Sequence, residues 1–247
     1  MRVDVYHQLR RCLDADRLAA LATVIAGPGR GRQLLIAPAA GDQSAVKLGG
    51  LGSEELEAEV LERAQELLAS FQSRRLSFAT DDGEVDVFIE VHPPRPKLII
   101  VGAVHVAAAL VSFARTLGFR TVVVDPRTAF ATPERFAHAD ELRTDWPDEA
   151  LRHIGLDART AVVTLTHDPK LDDPAIIETL GSDAFYLGCL GSTRTHAKRL
   201  DRLRAAGLTD EQLTRIHAPV GLNIGGKSPA EIAVSVMAQV TQVLRQG

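Results

Sequence analysis

Cysteine is scarce in this chain of 247 residues: Cys12 and Cys189 are the only two, one near each end. Two distant thiols make no disulfide framework and no zinc motif, which needs clustered ligands, so a reducing compartment is the expectation. A basic excess is missing too. The net charge is −4, which argues against nucleic acid as the main partner. Long hydrophobic runs are absent: the longest mostly apolar stretch, residues 98–114, is interrupted by Gly102, His105 and Ser112. That suits strand, turn and helix better than a membrane span of roughly 20 apolar residues. The opening "MRVDVYHQLRRCLDADR" lacks the apolar core of a signal peptide, so a cytoplasmic protein with no membrane partner is expected. Internal repeats and low-complexity tracts are not seen.

Apolar residues at 45% and charged residues at 24% describe a soluble globular chain, long enough for one large domain or two smaller ones. Proline marks a boundary. In "VHPPRPKL", residues 91–98, Pro93, Pro94 and Pro96 remove backbone donors, so neither a helix nor a central strand passes through. This predicts an N-terminal α+β domain over 1–92, a proline-rich linker at 93–97 and a second domain over 98–247. In the first, "LAALATVIAG" and "RQLLIAPA" read as strands around the turn "GPGRG". "SEELEAEVLERAQELLASF" carries apolar residues at helical spacing. "RRLSFAT" and "EVDVFIEV" flank "DDG" as a hairpin.

After the seam, strand and helix patterns alternate: "KLIIVG", "HVAAALVSFARTLG", "FRTVVVD", "TAVVTLTH", "DPAIIETLG", "AFYLGCLG", "TRTHAKRLDRLRAAG". The fold class expected is α/β, with a C-terminal parallel sheet covered by helices on both faces and preceded by the smaller α+β domain. Asp173-Pro174 offers a helix start, Thr209 with Gln212 a capping box, and Ser228-Pro229-Ala230-Glu231 both devices for a final helix over roughly 229–244. Gly118 and Gly207 stand where helices should stop.

"LIIVGAVHVAAAL" opens like a dinucleotide-binding βαβ unit, but the G-x-G-x-x-G fingerprint is reduced to Gly102-Ala103-Val104-His105-Val106-Ala107. Gly102 can still make the turn, whereas Val104 brings a branched side chain to the phosphate position. Asp125 follows "FRTVVV", close to the separation of about 20 residues expected of a ribose-binding carboxylate. It is read either as that or as a solvated strand end. Ordinary NAD(P) binding is therefore disfavoured.

Ligands of open parallel sheets bind beyond the carboxyl ends of the strands. The residues there are Gly102 and His105, then His167, Asp168 and Lys170, then Gly191, Ser192 and Arg194, and finally Asn223, Lys227 and Ser228. Helix starts at Ser192 and Ser228 could take a phosphate. The alternative is purely structural capping, with Arg194, Lys198 and Arg199 facing solvent. His167 could meet phosphate or ring nitrogen, or pack against a loop. Catalytic triads and paired-carboxylate sites are not apparent, and metal ligation by His105, His167 and His196 has no support from spacing. Cys12 and Cys189 read as small core residues.

The run "LTHDPKLDDPAI…AFYLGCLGSTRTHAKRLDRL…RIHAPVGLNIGGKSPAEIAVSVMAQV", with "VVDPR" and "DWPDEAL" before it, closely resembles the XdhC/CoxI family of accessory factors for xanthine dehydrogenase and related molybdenum hydroxylases. The match extends from Pro96 to the last helix. The resemblance implies a Rossmann-like domain that binds molybdenum cofactor (molybdopterin), carrying it rather than using it. It also implies help with sulfuration alongside a cysteine desulfurase, delivery to a molybdenum hydroxylase apoprotein, and a homodimer. Two departures stand out. Family members carry G-A-G-H-V-G at the first turn, and many carry S-G-G-C-V-E where this chain has "KLGGLGSEEL", without cysteine. The pterin's phosphate would fall to Ser192–Arg194 and Ser228, its polar ring edge to His167, Asp168 and Asn223. An NAD(P)-dependent oxidoreductase and a non-catalytic protein-binding module with a vestigial pocket are the competing readings.

Overall fold

The computed structural model describes residues 2–41 and 43–246. The chain divides into two compact units, Met1–Pro94 and Arg95–Gly247. In chain order the first holds α1 (Val3–Asp14), β1 (Ala19–Ala26), β2 (Gln33–Ala37), β3 (Val46–Gly50), α2 (Glu54–Ser70), β4 (Arg74–Thr80) and β5 (Gly83–His92). Its strands form one antiparallel sheet in the order β3-β2-β1-β5-β4. Side chains alternate across a strand, and both faces are covered, which explains why β1 and β2 are apolar almost throughout. Ala20, Ala22, Val24, Leu34 and Ile36 pack with Leu56, Val60 and Leu67 of α2. Ala19, Leu21, Leu35 and Ala37 pack with Val5, Leu9 and Cys12 of α1 on the opposite face. The β4–β5 hairpin turns through Asp81-Asp82, with Thr80 paired to Gly83.

The second unit holds β6 (Lys97–Val101), α3 (His105–Thr116), β7 (Arg120–Val124), α4 (Pro133–Phe136), β8 (Glu141–Arg143), α5 (Pro147–Ile154) and β9 (Thr160–Thr164). It continues with α6 (Pro169–Leu180), β10 (Tyr186–Cys189), α7 (Thr193–Ala205), α8 (Asp210–Leu213), β11 (Ile216–His217) and α9 (Pro229–Gln246). All its strands are parallel, in the order β11-β10-β9-β6-β7-β8. The order reverses between β6 and β9, the topological switch point of a doubly wound sheet. Leu98 and Ile100 of β6 face α3 and α9, while Ile99 and Val101 face α5, α6 and α7. The expected α/β class, with a covered parallel sheet after a smaller α+β unit, is what the chain adopts.

Local signals account for most helix ends. Ser192 caps α7 by accepting from Thr195 N, and Thr209 with Gln212 forms a full capping box at α8. The start of α6 corrects the sequence reading. The cap is Asp168, which accepts from Lys170 N with Pro169 in the first turn, and Pro174 lies inside the helix. Burial of Leu171, Asp172, Ala175 and Ile176 favours the earlier start over the missing hydrogen bond at Pro174.

Candidate functional site

The first turn after β6 is tightly fixed. Gly102 has φ +113°, and a Cβ there would lie 2.7 Å from Thr166 Cγ2 in the neighbouring loop, so only glycine fits. The next amide, Ala103 N, donates to Asp125 Oδ2 at 2.8 Å. Asp125 Oδ2 also accepts from Arg127 Nη2 at 2.8 Å. Its Oδ1 accepts from Arg127 Nε at 2.9 Å and from Arg127 N at 3.0 Å. Asp125 is fully buried. Burial alone would raise its carboxyl, but the donors from Arg127 and Ala103 together hold it below the usual carboxylate range. It is therefore neither a solvated strand end nor a free acceptor for a ribose hydroxyl: four hydrogen bonds already occupy its lone pairs.

Val104 is the N-cap of α3 and half-buried, packed against the core beneath, while His105 begins the helix and is exposed. These residues, with Gly102 and Asp125, form one cluster at the switch point.

A second cluster lies between α6 and α7. A crevice of about 300 Å³ is lined by His167, Asp172, Arg194, Lys198, Arg199 and Arg202, with Pro169 and Thr195. His167 is exposed and sits at φ +62°, a left-handed conformation that histidine tolerates better than most residues. Thr166 Oγ1 donates to Asp172 Oδ1 at 2.6 Å and accepts from Asp168 N at 3.1 Å, which pins the loop after β9 to α6. Burial pushes the Asp172 carboxyl above its usual range, against the Thr166 hydrogen bond and the charge of Arg199. Arg202 is held by Asp173 through two hydrogen bonds of 2.6 and 2.9 Å.

Arg199 corrects the sequence reading. Instead of facing solvent it is 2% exposed. Its Nη2 donates to Leu190 O at 3.0 Å and stands 3.7 Å from Asp172 Oδ2. Its Nε and Nη1 have no hydrogen-bond partner among the described residues. A buried donor left unsatisfied costs about 1–3 kcal/mol, and more when charged. A signal existed: Arg199 lies four residues before Leu203, the other buried residue of α7, and so on the same helix face.

The remaining candidates do not line this crevice. Gly191 (φ +140°) and Ser192 form the turn into α7. Asn223, Lys227 and Ser228 are exposed before α9. There Glu231 Oε2 accepts from Lys227 N, Ser228 N and Ser228 Oγ at 2.8–2.9 Å. The donors expected to greet a phosphate at this helix start are thus taken by the chain's own carboxylate.

Both thiols are buried, and burial pushes Cys189 up to about 11, so it is a neutral thiol at pH 7. Among the described residues no three His, Cys, Asp or Glu form a group that could hold a metal ion. No helix among them is long and apolar enough to cross a membrane. In the first unit, "KLGGLGSEEL" runs from β3 into α2, with Ser53 as the N-cap. A cavity of about 360 Å³ beside it is lined by Glu55, Glu59, Asp81 and Asp82 along with Arg32, a balance that repels anions.

Comparison with known proteins bears out the resemblance read from the sequence. Residues 98–240 match the sequence model of the XdhC Rossmann domain, and residues 12–79 that of the XdhC and CoxI family. YqeB of Escherichia coli, an uncharacterized protein, is 36% identical over 169 residues, 65% of this chain and 30% of its own length. A probable xanthine dehydrogenase subunit from Bacillus subtilis is 33% identical over 165 residues, 67% of this chain and 48% of its own. The molybdenum cofactor insertion chaperone PaoD of Escherichia coli is 31% identical over 150 residues, 61% of this chain and 41% of its own. The chain thus spans less than half the length of these relatives. A solved structure from Bacillus halodurans, described as a xanthine dehydrogenase, aligns over 98% of this chain and 96% of its own with a TM-score of 0.56. At 21% identity that likeness concerns the fold.

Proposed function

The chain belongs to the XdhC and CoxI family, and from that premise we propose that it is an accessory protein that carries molybdenum cofactor for a molybdenum hydroxylase. The observation that carries this reading is the division of labour along the carboxyl edge of the parallel sheet. The carboxylate that would hold a nucleotide ribose is consumed by Ala103 and Arg127. The crevice between α6 and α7 nevertheless gathers cations suited to a phosphorylated ligand. A pyranopterin with its terminal phosphate answers both conditions, since it needs anion recognition and no ribose acceptor. His167 and Asp168 would meet its polar ring edge.

The cofactor is cargo in this reading, delivered to the hydroxylase apoprotein. Sulfuration of the metal fits the same role, with a stated division. A sulfur carrier must present an accessible thiolate, and both thiols of this chain are buried. The sulfur atom would therefore be brought by a partner such as a cysteine desulfurase, as the outer sulfur of a persulfide, and not by a cysteine of this chain. A homodimer is part of the proposal.

The test is chemical. The protein is purified from a host that makes the cofactor, denatured and oxidised, and the supernatant is examined for fluorescent pterin. Stoichiometric pterin supports the reading. No pterin, with no uptake of added cofactor, overturns it.

A further inference from the structure

We propose that the crevice between α6 and α7 is a subsite for a phosphate dianion, the group that a phosphomonoester presents. The inference rests on the cofactor reading for its biological ligand, but it stands on its own geometry.

Charge is the first argument. Arg202 is neutralised by Asp173, and Asp172 stands 3.7 Å from Arg199. Arg194 and Lys198, also on the crevice wall, have no ion-pair partner among the described residues. Two cations are thus in surplus at the mouth. Donor geometry is the second. Arg199 belongs to the same wall, is nearly fully buried, and keeps two guanidinium nitrogens without an acceptor. A buried guanidinium in that state favours an oxyanion in the crevice it lines, because the Asp172 carboxylate 3.7 Å from Nη2 balances charge but accepts no hydrogen bond from it. Donors from Arg194, Lys198 and Arg199 outnumber the two oxygens of a carboxylate and suit the three free oxygens of a phosphomonoester.

Contrast within the molecule is the third argument. The start of α9 offers the same kind of serine-capped helix end, yet Glu231 already fills it. At the start of α7 the cap is Ser192 alone, and no carboxylate from the first turn folds back. The cavity of about 300 Å³ sits at the lower bound for small-molecule sites. It suits a phosphate and the part of the molecule that bears it.

The experiment titrates inorganic phosphate into the full chain by calorimetry, with chloride at matched ionic strength as the reference. Saturable binding of one phosphate per chain is expected. Lys198→Gln and Arg194→Gln, both at exposed positions, should each weaken it by about tenfold, the loss of one charge-assisted hydrogen bond. Lys227→Gln, at the helix end that Glu231 fills, should leave it unchanged. Absence of saturable phosphate binding overturns the proposal, as does binding that the two crevice variants do not weaken. A second arm compares a phosphorylated pterin with its dephosphorylated counterpart. Preference for the phosphorylated form, lost in Lys198→Gln, assigns the subsite to the cofactor. Phosphate binding with no pterin affinity keeps the subsite and removes the cofactor reading. Pterin binding indifferent to both crevice variants keeps the cofactor reading and removes the subsite.

Discussion

Asp125 and Ala103 are joined by a hydrogen bond of 2.8 Å from backbone amide to carboxylate, tying the end of one strand to the first turn after its neighbour. With Arg127 completing the arrangement, the position that usually serves a cofactor instead serves the loop. Asp125→Asn would turn an amide donor toward Ala103 N or Arg127. It should lower stability by about 2–4 kcal/mol, read as a shifted midpoint of urea unfolding. Arg127→Ala should cost a similar amount, because it takes two of the four hydrogen bonds and the counter-charge from a carboxylate that is fully buried.

The same carboxylate sets an acid dependence. Its folded value lies below the ordinary one, so its contribution is fully present above about pH 4 and is lost as pH falls through the lower folded value. Unfolding midpoints measured from pH 7 down to pH 2 should drop on the acid side in the wild type and more shallowly in Asp125→Asn.

Restoring glycine at the damaged fingerprint should not restore nucleotide binding. Val104→Gly opens space at the start of α3, but the ribose acceptor remains engaged by Ala103 and Arg127. Calorimetry with NAD and NADP should show no saturable heat for either protein. A gain in affinity for the variant would mean that the side chain alone was the obstacle.

Gly102→Ala places a methyl 2.7 Å from Thr166 Cγ2 at a φ of +113°. Strain and overlap together should destabilise the protein by about 2–4 kcal/mol, visible in thermal melts. The loop after β9, which carries His167, should show faster amide exchange in any folded variant.

Removing Glu231 tests the self-filled helix end. Glu231→Ala should lower the melting temperature by fraying the start of α9, and should add a second, weaker phosphate-binding event at Lys227 and Ser228. Hydrogen bonds from Ser228 and Lys227 hold the Glu231 carboxyl below its usual range, so its stabilisation is present near neutrality and fades as pH falls below about 4.

Much of the fold was legible because burial on both faces makes parallel strands read as unbroken apolar runs, as in "KLIIV", "RTVVV" and "TAVVT". The short β8, α4 and β11 left no such trace, being too brief to show a period, and α8 was marked only by its capping box. The start of α6 was misplaced because Asp168-Pro169 and Asp173-Pro174 send the same local signal. Only the packing of Leu171 and its neighbours decides between them. The candidate site was legible as a set of strand ends and illegible as chemistry. Arg199 lies in a strongly basic stretch, where only its spacing of four from Leu203 marks the helix face that turns inward. Asp125 has the right type and spacing for a ribose, and its engagement with a backbone amide over twenty residues away is a tertiary fact.

The seclusion of Cys12 and Cys189 has a practical corollary. Oxidation in air has no outward-facing sulfur with which to staple two copies together, so covalent dimers should not accumulate on storage. Maleimide labelling becomes a clock for opening: each adduct records an excursion in which α1 or β10 has come away from its neighbours.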